Sequence, residues 1–221
     1  MSAKQRPDTG RPARADARRN RQQLLDVARD VFVERGANAP LDQIAKRAGV
    51  GIGTLYRHFA DRETLTRAVV LDALLQSADA GERALAQGPD AFGSLTTYMH
   101  AVLDLRVAAV IPVLLEQVEL DDEELTAARE RGARVLQRIV DSAHADDCLN
   151  SEVTFGDVGL MLIRLSRPLP GRIAPELNAE LAHRHLDLLI NGLRPAGAEA
   201  AALGGPALSL ADLRDFAADP D

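Results

Sequence analysis

Residues 40–59 read PLDQIAKRAGVGIGTLYRHF, and the order of side chains in this stretch decides the fold. Leu41, Ile44, Ala45 and Ala48 lie on one face of a short helix from Leu41 to Ala48, with Pro40 where a helix tolerates proline. Gly49-Val50-Gly51 interrupts it, and a second short helix runs from about Ile52 to Phe59. Two helices this short cross closely only if the first offers a small residue, which Ala45 supplies. The chain must then reverse within four residues, through a left-handed backbone angle that is cheap for glycine; Gly49 fills that place. Leu55 and Phe59, one turn apart, anchor the second helix inward, and Val50 fills the turn. Gly53, Thr54, Tyr56, Arg57 and His58 are left on the outer face. Hydroxyls, a guanidinium and an imidazole are groups that meet phosphates and base edges in a nucleic-acid groove. Each feature alone also fits an ordinary helical hairpin.

Upstream, the charge distribution bears on the two readings without deciding between them. Residues 1–60 hold twelve Lys and Arg against six Asp and Glu, whereas the rest holds fourteen against twenty-seven, within a whole-chain net charge of −7. A basic head on an acidic body fits one end meeting a polyanion. Residues 1–17, with Pro7, Gly10 and Pro12 among arginines, bury too little apolar surface to order themselves and read as a flexible basic arm. From Arg18, the stripe Leu24, Ala28, Val31 and Phe32 marks an amphipathic helix that ends at Arg35-Gly36. Together the arm, the turn and the outer face point to DNA.

Downstream, Asp61 offers an N-cap for a long helix from Arg62 to about Gln87, stopped by Gly88-Pro89. Further helices are predicted near 91–105, 107–118, 122–145, 153–166, 175–194 and 209–217. They are separated by Pro112, the acidic run Asp121 to Glu124, Asn150-Ser151 and Pro168 to Gly171. No stretch alternates with period two, so the fold class is all-α. The expected organisation is the arm at 1–17, a helix-turn-helix domain at 18–61 with its motif at 40–59, a helical body at 62–195 and an extension at 196–221.

Several chemistries find little support. Gly49-x-Gly51-x-Gly53 follows a helix, and Thr54 occupies the place of the third glycine, so a dinucleotide loop is disfavoured. His183 and His185 are two apart on a helix and point to opposite sides, so they cannot chelate one metal together. Asp121 to Glu124 sit at a helix N-terminus, where acids favour the dipole. Neither GxSxG, HExxH, a P-loop nor CxxC occurs, and no cofactor or metal is expected. A lone Cys148 excludes an internal disulfide framework. The longest apolar run, Val107 to Leu115, is too short for a bilayer, and the arginine-rich start lacks a signal-peptide core. The expected setting is the cytoplasm.

The run from Gly49 to Phe59, continued by Asp61-Arg62-Glu63-Thr64-Leu65, resembles the DNA-binding head of the tetracycline-repressor (TetR) family of bacterial transcriptional regulators. The resemblance covers about residues 18 to 70 and implies no enzyme. It implies three N-terminal helices for DNA, a long linking helix and a divergent C-terminal domain for ligand binding and dimerisation. On that pattern Thr54, Tyr56, Arg57 and His58 meet the major groove and its flanking phosphates. Gly51 and Gly53 let the backbone approach, Arg62 holds a phosphate where the family often has lysine, and Lys46 and Arg47 add backbone contacts. Ala39-Pro40-Leu41 stands where the family often places a capping Ser or Thr, so a side-chain phosphate contact is missing there.

The implied partners are a palindromic operator duplex, a second copy of the chain and a small-molecule effector, with no membrane. Two stripes at i, i+3, i+4 and i+7 are candidates for a four-helix dimer interface: Phe155, Val158, Gly159 and Leu162, then Leu186, Leu189, Ile190 and Leu193. The same stripes fit the chain's own core. Gly159 and Gly192 would permit close helix approach. Polar or soft residues within apolar stretches are the pocket candidates: Tyr98, Met99, His100, Arg106, Glu116, Met161 and Arg164. A strongly anionic effector is disfavoured unless Arg106 or Arg164 faces it. The competing expectation is a helical ligand carrier or enzyme whose head docks to protein.

Overall fold

The computed structural model describes residues 10–114, 122–169 and 173–195, and among these every regular element is a helix. In chain order they are α1 (Gly10–Arg35), α2 (Leu41–Arg47), α3 (Ile52–His58), α4 (Arg62–Gln87), α5 (Ala91–Asp104), α6 (Val107–Leu114), α7 (Glu123–Ala145), α8 (Phe155–Leu165) and α9 (Pro175–Gly192). The all-α expectation holds. Glu116 and the expected helix at 209–217 lie outside the described residues, as does the end of the helix expected at 107–118.

One boundary departs from expectation. The helix of α1 begins at Gly10, not near Arg18, so the second half of the supposed arm is helical. Pro12 falls in the first turn, where amide groups have no intrahelical partner and a missing N–H costs nothing. Ala13, Ala15 and Ala17 among arginines then favour helix, a propensity that the lack of burial had outweighed in the sequence reading.

The head forms around a small apolar centre of Leu24, Leu25, Ala28, Val31 and Phe32 from α1, Ile44 and Ala45 from α2, and Leu55 and Phe59 at α3, all buried. Gly36 closes α1 at φ +82°, with its amide on the Phe32 carbonyl at 2.9 Å. Gly49 takes φ +71°, and Val50 N–H returns to the Ala45 carbonyl at 3.0 Å, the reversal that the motif requires. Pro40 precedes α2 without a side-chain cap.

Asp61 caps α4 by accepting from Thr64 N at 2.8 Å, which holds its carboxyl below the usual carboxylate range. α4 then runs from the head into the body, where it packs most extensively on α7 and next on α5. At Gly81 a Cβ would stand 2.4 Å from Val135 Cγ1 and 3.3 Å from the Tyr98 ring, so glycine lets α4 and α7 close. Ion pairs tie the same two helices on the surface: Arg131 to Asp79 and Glu82, and Arg67 to Asp122 and Glu124. Hydrogen bonding from Arg67, with the cap that Asp122 makes on α7 through Leu125 N, lowers the Asp122 pKa to about 2.

The break between α5 and α6 is made by Arg106 at φ +52°, whereas Pro112, expected as a breaker, sits inside α6. A buried contact joins head to body at this corner. Arg29 of α1 donates to Asp72 of α4 and to the Leu105 carbonyl, while Gln22 and Gln76 donate to the same Asp72 carboxylate.

Candidate nucleic-acid interface

α3 is positioned from behind. Leu55 and Phe59 are wholly buried in the head, and the Arg21 guanidinium of α1 lies 5.2 Å from the Phe59 ring centre. With the inner face fixed, the opposite side chains have no route to the core. Tyr56 is 50% exposed, Arg57 and Gly53 are exposed, and Thr54 and His58 are half-buried. The Arg57 Nη2 donates to Thr54 Oγ1 at 2.7 Å, which lays the guanidinium along the outer face and restricts its rotamers. Nothing lies within 4 Å of a Cβ built on Gly51 or Gly53, so the surface beside α3 is open.

The four cations assigned around this face differ from one another. Lys46 is exposed on α2. Arg62 is half-buried and donates from Nη1 to the Ala37 carbonyl at 2.9 Å, so it ties α4 to the loop after α1. Arg47, expected to add a DNA-backbone contact, is exposed, and both its terminal nitrogens engage Glu34 of α1, with Asp30 at 3.8 Å. Hydrogen bonding from Arg47, helped by the charge of Arg106, holds the Glu34 carboxyl below its ordinary range.

Ile52 was missed. It is 41% exposed at the first position of α3, and with Tyr56 it lines a shallow groove shared with Leu41, Asp42, Asp61 and Arg62. In sequence, Ile52, Leu55 and Phe59 fall at i, i+3 and i+7, which reads as one buried stripe; in the structure only Leu55 and Phe59 are buried.

The pocket candidates among the described residues lie in different surroundings. Tyr98 and Met99 are core residues; the Tyr98 hydroxyl pairs with Ser77 Oγ at 3.1 Å, and burial pushes its pKa up. His100 stacks on His183 of α9, with Nδ1 to Nδ1 at 2.8 Å, and its Nε2 meets Asp187 while His183 Nε2 meets Asp104. His183 therefore has a histidine partner, 83 residues away and not its neighbour His185. Arg106 turns to the head, reaching Asp30 at 3.2 Å and Glu34 at 3.7 Å, so it does not face a body pocket. Arg164 is exposed, and Met161 is half-buried against the core.

The dimer stripes also need correction. Val158, Leu162, Leu186, Ile190 and Leu193 are all buried in the chain's own core and have no surface to offer a partner. Phe155 and Gly159 are half-buried, and Leu189 is exposed. The outward face of α9 carries Leu177, Leu188 and Leu189, of which Leu188 is 61% exposed. Among the described residues no single helix is long and apolar enough to cross a membrane.

Comparison with known proteins places this geometry. Residues 24–69 match the model of bacterial regulatory proteins, tetR family. An HTH-type transcriptional regulator of Staphylococcus aureus is 45% identical over 58 residues, which cover 26% of this chain and 31% of the relative; the match thus spans about a third of that relative's length. Similarity to solved structures extends through the body. A TetR transcriptional regulator of Streptomyces coelicolor superposes with a TM-score of 0.59 at 28% identity, covering 80% of this chain and 99% of that one. The TetR-like regulator LfrR of Mycobacterium smegmatis, solved in complex with proflavine, has the same fold at a TM-score of 0.57 and 21% identity, covering 84% and 99%.

Proposed function

From the premise that this chain belongs to the tetR family of bacterial regulatory proteins, we propose that it is a sequence-specific DNA-binding transcriptional regulator. It works as a homodimeric repressor released from a palindromic operator by a small molecule. The observation that carries this reading is the outer face of α3: Tyr56 and Arg57 stand in solvent while Leu55 and Phe59 lock the helix from behind. A helix so held is a rigid reading surface. It covers only a few base pairs, so two copies are required, with half-site centres about 34–36 Å apart or a multiple of that.

The second copy fits the outward side of α8 and α9. Leu177, Leu188 and Leu189 are exposed there, and a Cβ on Gly159 or Gly192 would meet nothing within 4 Å. The interface centres on these residues in place of the buried stripes. Release follows from α4, which spans from the cap at Asp61 to its packing on α5 and α7 in the body. An effector seated in the body that shifts α4 alters the separation of the two heads, and about 1–3 kcal/mol of coupling is typical of such linkage. Proflavine bound to the Mycobacterium smegmatis regulator supports a small organic molecule as the effector class.

Fluorescence-anisotropy titration of the full chain against its own upstream DNA, with a scrambled duplex as control, tests the reading. The expected result is salt-sensitive binding to the first duplex at least a hundredfold tighter than to the second, weakened by an effector. Equal binding to both overturns it. The basic segment 1–17 adds sequence-independent phosphate contacts, so its removal flattens the slope of log affinity against log salt.

A further inference from the structure

Isoleucine is among the residues most often buried, yet Ile52 keeps two-fifths of its surface in water at the start of α3. Its sequence neighbours on both sides are glycines with open space where a side chain would be, and it lines a shallow groove with Leu41 and Tyr56. One turn on, Tyr56 stands out beside it. The first residues of a reading helix are those that reach base edges. Their partners in the major groove are polar with one exception, the C5 methyl of thymine.

We propose that Ile52 is a specificity-determining residue that packs on a thymine methyl at one position in each operator half-site. The inference rests on the DNA-binding reading above and adds to it a base identity. A polar residue at position 52 would cost folding little, since Ile52 is not part of the buried core. An apolar one there gains further contact only when an apolar group of a partner covers it; its groove carries Arg62 beside Asp42 and Asp61, so a nucleic acid as that partner follows from the DNA-binding reading.

The test uses the full-length chain. A bound duplex is selected from a randomised palindromic pool, and each thymine is then replaced in turn by deoxyuridine, which removes the methyl and nothing else. One symmetric pair of positions is expected to lose about fourfold in affinity per half-site, the equivalent of about 0.8 kcal/mol for one buried methyl group. In Ile52→Ala the thymine and uracil duplexes bind equally at that position, while Ile52→Val keeps the preference and an unchanged melting temperature confirms both variants fold. A methyl preference that survives in Ile52→Ala, or no thymine at which uracil differs in the parent chain, overturns the proposal while leaving DNA binding intact. Failure to select any duplex overturns the DNA reading itself, and the role of Ile52 with it.

Discussion

Replacing Asp72 with alanine removes the acceptor that joins head to body. Three donors converge on this carboxylate: Arg29 and Gln22 from α1 and Gln76 from α4, the last at 2.7 Å. The Arg29 side chain is only 6% exposed, and its Nε already has no partner. Without Asp72 the guanidinium keeps the Leu105 carbonyl at 3.2 Å and the solvent-facing Asp26 at 3.4 Å. Breaking a buried pair from one side typically costs about 3–5 kcal/mol, because the remaining charge is stranded. Asp26 compensates in part, which puts Asp72→Ala near the lower end, about 3 kcal/mol. For a chain of this length that lowers the melting temperature by about 6–12 °C. The double variant Arg29→Met with Asp72→Leu strands no charge and returns to within about 1 kcal/mol of the parent. Urea unfolding followed by circular dichroism, at fixed protein concentration, measures all three. A loss below about 1 kcal/mol for Asp72→Ala, or a double variant as unstable as the single, refutes the argument that this pair holds α1 on α4.

Tyr56→Ala and Arg57→Ala are expected to remove specific operator binding while changing stability by no more than about 0.5 kcal/mol, as for surface side chains generally; a collapse of the melt contradicts their outward placement. Glu34→Gln releases Arg47 from its strongest partner, so the salt slope of DNA binding steepens by about one unit, read from anisotropy at several salt concentrations. The folded-state pKa of Asp122 is depressed to about 2 from 3.8, so its stabilising contact is present above about pH 4 and is lost as the pH falls through about 2. Asp122→Asn is therefore expected to flatten the pH dependence of the urea midpoint across that window. Gly81→Ala drives a methyl into Val135 and costs about 1–3 kcal/mol despite the better helix propensity of alanine, and Val135→Ala in the same chain relieves the clash.

The elements that local chemistry dictates were legible in the sequence. Gly49 announced the reversal, Asp61 the cap of α4, and Leu55 with Phe59 the hidden side of α3, because each depends on neighbours within one or two turns. What depended on partners far along the chain was not. Periodicity marked Val158, Leu162, Leu186 and Ile190 as an apolar face but could not say whether the chain itself or a copy covers it; the chain does. Arg47 looked free because Glu34 lies thirteen residues upstream on another helix. His183 was weighed against His185 when its partner was His100. Ile52 hid in the spacing of a core stripe, Leu55 and Phe59, that begins just after it. The bent corner at Arg106 is a tertiary effect too, since its charge is met by Asp30 and Glu34 of α1.

Dimethyl sulfate protection of guanine N7 on the selected operator addresses the account most directly, because that atom is reached only through the major groove. Two symmetric clusters of protection are expected, about one helical turn or a multiple of it apart, each erased by Tyr56→Ala. A single cluster, or a full pattern that persists in the variant, contradicts a reading head presented twice by α3.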